Sequence, residues 1–120
     1  MIMTHSAILI TGMPGCGKTT LIKRISRSIN VPAFGFITGE IRKEGNRVGF
    51  AIASLQGEKA IMSHVDIRSP HKVGKYGVDL EAFEKIAVPQ LETGLASRKL
   101  IFIDEIGKME LFSDSFKKLV

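Results

Sequence analysis

The chain has 120 residues, 44% of them hydrophobic and 24% charged, which excludes a disordered segment and suits one domain, residues 1–120, with a real core. Seventeen Lys and Arg against twelve Asp and Glu leave a net charge of +5. The basic residues are scattered and aromatics are sparse, so the charge reads as a solvated surface that also suits anionic nucleotides, and a dedicated nucleic-acid partner is not expected.

The one cysteine, Cys16, excludes an internal disulfide and fits a reducing compartment. No apolar run approaches the ~20 residues of a membrane span, and no cleavable leader is legible. A cytoplasmic protein without a membrane partner is the expectation.

Ala7–Thr11 is a continuous apolar run ending at Gly12, the pattern of a strand buried on both faces. Gly12–Gly17 is rich in glycine. Leu21, Ile22, Ile25 and Ile29 then recur at helical spacing until Asn30 and Pro32 close the helix. Phe34–Thr38 and Val48–Leu55 read as strands around the turn signal Glu44-Gly45-Asn46, giving an antiparallel hairpin, and Ala60–Val65 adds a further strand. Ser69-Pro70, Gly74 and Gly77 predict an irregular loop. Asp79 is a suitable N-cap for a helix with the apolar stripe Leu80, Phe83, Ile86, Ala87 and Leu91, in which Pro89 predicts a kink or a break. Leu100–Ile103 is a second buried-strand run, and Ser113 is placed to cap a last helix over Asp114–Val120.

Gly12-Met13-Pro14-Gly15-Cys16-Gly17-Lys18-Thr19 matches G-x-x-x-x-G-K-[ST], the Walker A pattern, in the context it requires, between a strand and a helix. Glycines let the main chain approach a ligand closely, and successive backbone N–H groups then converge on phosphate oxygens. The helix N-terminus adds unpaired donors and partial positive charge. Lys18 is placed to reach the β- and γ-phosphates, and the Thr19 hydroxyl to ligate Mg²⁺. Cys16 fills a variable position of the loop, where a small residue that fits is a simpler reading than a redox-sensitive thiol.

The second strand ends in Asp104-Glu105, the form of a Walker B segment. Asp104 is expected to hold Mg²⁺ opposite Thr19, and Glu105 to orient and deprotonate a water for attack on the γ-phosphate. The full phosphate-binding set is then Gly12, Met13, Pro14, Gly15, Cys16, Gly17, Lys18, Thr19 and Thr20, met by Ile103, Asp104 and Glu105. Lys18 and Glu105 are the expected catalytic pair. Lys108, Arg42, Arg68 and Lys75 are candidates for reaching phosphate, although a solvated charge is the simpler reading of each. Glu110 has no legible role, and His5, His64 and His71 lack metal-ligand spacing.

Several segments occur together in order: Gly12–Thr19 (GMPGCGKT), Gly35–Arg42 (GFITGEIR), Val48-Gly49-Phe50, Tyr76–Leu80 (YGVDL) and Ile103–Ser113 (IDEIGKMELFS). Together they closely resemble a small family of P-loop nucleoside-triphosphatases, first recognised in thermophiles and including a human cancer-related member. The resemblance implies an α/β fold, a RecA-like three-layer sandwich with a largely parallel central sheet and an antiparallel hairpin insertion. It also implies Mg²⁺-dependent hydrolysis of ATP, GTP, CTP and UTP to diphosphate and phosphate with low base selectivity. By motif match it carries phosphate binding to Gly12, Gly15, Gly17, Lys18 and Thr19, the Walker B role to Asp104 and water activation to Glu105. Two departures stand out. Lys75 occupies a position where members often have Arg, and members continue past the position of Val120 by at least a strand and a helix, so a C-terminally truncated form of the fold is expected.

Three other readings share the loop. Asp104–Gly107 fits the D-x-x-G of a GTPase switch, but no N-K-x-D guanine-reading motif follows. A P-loop kinase needs an arginine-lined acceptor site, and no such cluster is legible. A module that holds nucleotide without turning it over remains open.

Overall fold

The computed structural model describes residues 20, 24, 33–97, 100–103 and 107–120. Among the described residues six strands form one sheet: β1 (Ala33–Lys43), β2 (Asn46–Ser54), β3 (Lys59–His64), β4 (Lys72–Val73), β5 (Tyr76–Val78) and β6 (Leu100–Ile103). Their order across the sheet is β4-β5-β3-β2-β1-β6. The pairings from β4 to β1 are antiparallel, and β1 and β6 run parallel. The described residues therefore form a mixed sheet. The strand expected over 7–11 lies outside them.

The hairpin expected from Glu44-Gly45 is present. Glu44 (φ 52°) and Gly45 (φ 80°) both take positive φ, the signature of a two-residue type I′ turn, whose twist matches that of the strands it joins. The segment 72–78, expected to be an irregular loop, instead folds as the short hairpin β4–β5, in which Gly74 (φ 59°) makes the turn. Tyr76, Gly77 and Val78 are buried, and Val78 pairs with Ser63 of β3. The glycines mark the bends of this segment, while burial of its apolar residues supplies the sheet pairing.

Helix α1 (Leu80–Ala96) packs across β1, β2, β3 and β6. Its N-cap is Asp79, whose Oδ1 accepts the Ala82 N–H at 3.0 Å. The expected stripe is buried at Phe83, Ile86, Ala87 and Leu91, joined by Gln90 and Gly94. The break expected at Pro89 does not occur, and the helix runs on to Ala96. Pro89 is exposed, as is Lys85 one turn earlier, so the carbonyl that proline leaves without a donor faces water rather than the core.

Helix α2 (Asp114–Leu119) is capped as expected, the Ser113 hydroxyl accepting the Phe116 N–H at 3.1 Å. Phe116 is fully buried and meets Phe36 of β1 and Phe83 of α1 edge-on. The three ring-centroid separations are 5.6, 5.8 and 5.3 Å, in the range where aromatic pairs add to plain area burial. This trio ties both helices to the strand that carries β6.

The contact between β1 and β6 rests on Gly35. It pairs with Phe102, has a φ of 125°, and a Cβ there would lie 1.7 Å from the Phe102 carbonyl oxygen. The Gly35 N–H donates to Gln90 Oε1 at 3.0 Å in the interior, and the Gly35 carbonyl accepts the Leu55 N–H at 3.1 Å. Helix α1 also comes close at Gly94, where a Cβ would meet the Ile101 side chain at 2.6 Å.

Gln90 is thus the acceptor for a backbone donor at the strand junction. Gln90→Met keeps the volume and removes that acceptor, leaving the Gly35 N–H buried without it. The expected loss is about 1–3 kcal/mol in urea unfolding. An unchanged unfolding midpoint would show that this bond contributes nothing to stability.

Candidate functional site at the end of the parallel strand

β6 ends at Ile103, which is half-buried and paired with Phe36. Asp104 and Glu105 follow at once in sequence and lie outside the described residues, as do Gly12, Met13, Pro14, Gly15, Cys16, Gly17, Lys18 and Thr19. Thr20 is helical and exposed. Of the expected phosphate-site residues, the described ones are therefore Thr20 and Ile103.

That strand end has walls. β1 continues for seven residues past Phe36 (37 to 43), about 23 Å at 3.3 Å per residue. The β1–β2 hairpin therefore projects beyond the end of β6. The carboxyl ends of parallel strands are where open α/β sheets bind ligands, because loops and helix N-termini converge there.

Past the acidic pair the chain turns sharply. The Gly107 N–H donates to Glu110 Oε2 at 2.9 Å, and the Leu111 N–H donates to the Gly107 carbonyl at 3.2 Å. A 3₁₀ turn over Glu110–Phe112 follows, and its Ser113 then caps α2. Glu110, for which the sequence offered no role, is only 4% exposed. The spacing Gly107-x-x-Glu110 is that of a capping box without its Ser or Thr, which hides it from a motif search.

The remaining candidates are dispersed. Lys108 is exposed in the turn after Gly107. Lys75 lies in the β4–β5 turn, at the sheet edge opposite β6, with Nζ 5.5 Å above the Tyr76 ring. Arg68 is exposed. Arg42 forms an ion pair with Glu40 at 2.7 Å. His64 Nδ1 accepts the Asp66 N–H at 3.0 Å, and the His71 ring lies 4.9 Å from that of Phe112. Among the described residues no three His, Cys, Asp or Glu side chains gather as a metal site.

A polar cluster at the hairpin had no sequence signal. The Arg47 guanidinium sits 5.1 Å from the Phe50 ring centroid and 5.6 Å from that of Tyr76. It donates to the Tyr76 hydroxyl at 3.0 Å and pairs with Glu40 at 3.3 Å. The Tyr76 bond, then the Glu40 bond, raises the Arg47 pKa. Hydrogen bonding from Arg42 leads the causes that lower that of Glu40, with Arg47 adding to it. Glu40, Arg42 and Arg47 are exposed, and such ion pairs contribute little to stability.

Comparison with known proteins places this arrangement. The family model described as NTPase matches residues 7–120. The chain is 52% identical over 113 residues to the nucleoside-triphosphatase THEP1 of Thermotoga sp. (strain RQ2), covering 94% of this chain and 64% of that protein. It is 42% identical over 125 residues to the human cancer-related nucleoside-triphosphatase, covering 94% of this chain and 66% of that one. The crystal structure of THEP1 from Aquifex aeolicus superposes with a TM-score of 0.79 at 45% identity, over 88% of this chain and 62% of that one. The chain spans about two thirds of the length of these relatives or slightly less. No described helix is long and apolar enough to cross a membrane. With the fold shared and the match running from residue 7 to the last residue, the chain belongs to the NTPase family and has its P-loop α/β fold.

Proposed function

We propose that this chain binds nucleoside triphosphates, ATP, GTP, CTP and UTP alike, and hydrolyses them to diphosphate and phosphate with Mg²⁺. It would act as a single domain in the cytoplasm. The observation that carries the reading is the exit of β6. The strand parallel to β1 ends at Ile103, at a carboxyl strand end beside the projecting hairpin, and Asp104-Glu105 are the next residues in sequence. A Walker A sequence in the same chain supplies the complementary phosphate loop.

The donor chemistry fits Mg²⁺. This ion binds through one or two protein oxygens plus substrate phosphates and keeps several waters. Thr19 and Asp104 are such hard oxygen donors and would hold it. When bound, it neutralises charge building on the β- and γ-phosphate oxygens.

The chain's own groups do the rest. The backbone N–H groups of Gly12–Thr19 bind phosphate oxygens, and Lys18 holds the γ-phosphate in line for attack. Glu105 orients a water and takes its proton as the new P–O bond forms and the bond to the diphosphate breaks. Recognition by phosphates alone accounts for weak base selectivity.

Phosphate release from the four triphosphates should require Mg²⁺ and stop in EDTA. Release from none of them, with nucleotide still bound, would make the chain a binding module. Glu105→Gln should lower turnover by about 10²–10⁴-fold and leave nucleotide affinity intact. Equal turnover in that variant would remove Glu105 from the chemistry. Lys18→Ala should weaken nucleotide binding itself, measured by calorimetric titration with ATP in EDTA, and unchanged affinity would move the phosphate site elsewhere.

A further inference from the structure

Basic residues that are scattered along the sequence are gathered by the sheet. β1 and β3 run the same way, because each is antiparallel to β2, and β4 runs with them because both it and β3 are antiparallel to β5. The tip of the β1–β2 hairpin, the carboxyl end of β3 and the β4–β5 turn therefore lie at one end of the sheet. The segments 40–47 and 64–77 build this end. They carry six exposed cations, Arg42, Lys43, Arg47, Arg68, Lys72 and Lys75, against three carboxylates, Glu40, Glu44 and Asp66. From β1 to β4 is four strand spacings, about 19 Å at ~4.8 Å each.

Much of this charge has no internal counter-ion. Glu40 takes both Arg42 and Arg47, at 2.7 and 3.3 Å. Among the described residues no carboxylate pairs with Lys43, Arg68, Lys72 or Lys75. Arg47 and Lys75 share one support, the Tyr76 ring, with their charged groups 5.6 and 5.5 Å from its centroid. Tyr76 is only 7% exposed, so the ring is a fixed seat for two cations from different parts of the sheet. Arg47 donates from Nε to the Tyr76 hydroxyl and from Nη1 to Glu40. Among the described residues its Nη2 has no acceptor, which leaves that donor for a group from outside. Like charges gathered in this way repel one another, and an external anion relieves that repulsion.

The two aromatic rings of this end are not offered to a ligand. Tyr76 is buried, and the half-buried Phe50 ring lies under the Arg47 guanidinium. Base stacking on aromatic platforms is therefore absent here, and the row of cations suits a phosphate chain recognised by charge alone.

We propose that this end of the sheet binds the phosphate backbone of a nucleic acid without regard to base sequence, through Lys43, Arg47 and Lys75 above all. The surface uses none of the phosphate-loop residues and does not depend on nucleotide turnover.

A fluorescein-labelled oligothymidylate is titrated with the chain, and its anisotropy is read across a series of salt concentrations. One double variant, Lys43→Ala with Lys75→Ala, removes two cations from the patch. A second, Lys59→Ala with Lys118→Ala, removes two exposed cations elsewhere, at the opposite end of β3 and on α2. The two variants have the same net charge. Lys18→Ala tests whether the phosphate loop holds the probe.

The patch variant should weaken binding about ten-fold or more at low salt and reduce the slope of log affinity against log salt by about 1.4, or ~0.7 for each lost contact with a single strand. The Lys59 and Lys118 variant and Lys18→Ala should bind as wild type does, and a strand of mixed sequence should bind as oligothymidylate does. Equal weakening in the two double variants would reduce the effect to net charge and overturn the proposal. Loss of binding in Lys18→Ala with the patch variant unaffected would assign the probe to the phosphate loop and overturn it too. A wild-type chain that leaves the oligonucleotide free at low salt, whether or not it adheres to phosphatidylserine vesicles, would do the same.

Discussion

Everything that positions the site depends on the close parallel contact of β1 and β6 at Gly35. Residue 35 lies against the Phe102 backbone so tightly that no side chain fits between them. Its N–H points toward α1, where Gln90 accepts it, and its carbonyl accepts from Leu55 beyond β2. One residue thus bonds to a helix and to the loop after β2 while touching the strand beside it. Parallel strands lack the short hairpin connection that would set their register locally, so the register must come from packing of this kind.

The consequences spread outward through the core. Gly94 lets α1 settle on Ile101 of β6, and the Phe36, Phe83 and Phe116 trio draws α2 onto the same corner. The strand end at Ile103 is therefore paired with a strand that both helices pack against, and the β1–β2 hairpin projects beside it. Catalytic and binding groups hold their geometry best on rigid elements supported from behind.

The parts of this protein legible in its sequence are those whose physics is local. The hairpin announced itself through Glu44-Gly45, α1 through Asp79 and its stripe, and α2 through Ser113. The phosphate loop and the acidic pair are patterns of adjacent residues, readable without a fold, although they lie outside the described residues. What the sequence hid acts across distance. Gln90 serves a donor 55 residues away, and its only trace was a polar residue within an apolar helical stripe. The Arg47 contact with Tyr76 spans 29 residues. Pro89 was misleading because a helix break depends on whether the freed carbonyl faces core or water, which sequence alone does not state. The β4–β5 hairpin was masked by its own glycines, which signal bends and are silent on what the residues between them pair with.

The nucleotide's metal is proposed to sit at the carboxyl end of β6. The most direct measurement uses Mn²⁺ with a non-hydrolysable ATP analogue and reads paramagnetic broadening of backbone amide signals along the chain. Broadening should centre on Ile103 and Gly107, reach Ile37 and Thr38 on the adjacent strand, and leave the tip of the β1–β2 hairpin at Glu44 and Gly45 sharp. Broadening centred on that tip, or on the β4–β5 edge with Ile103 unaffected, would contradict it.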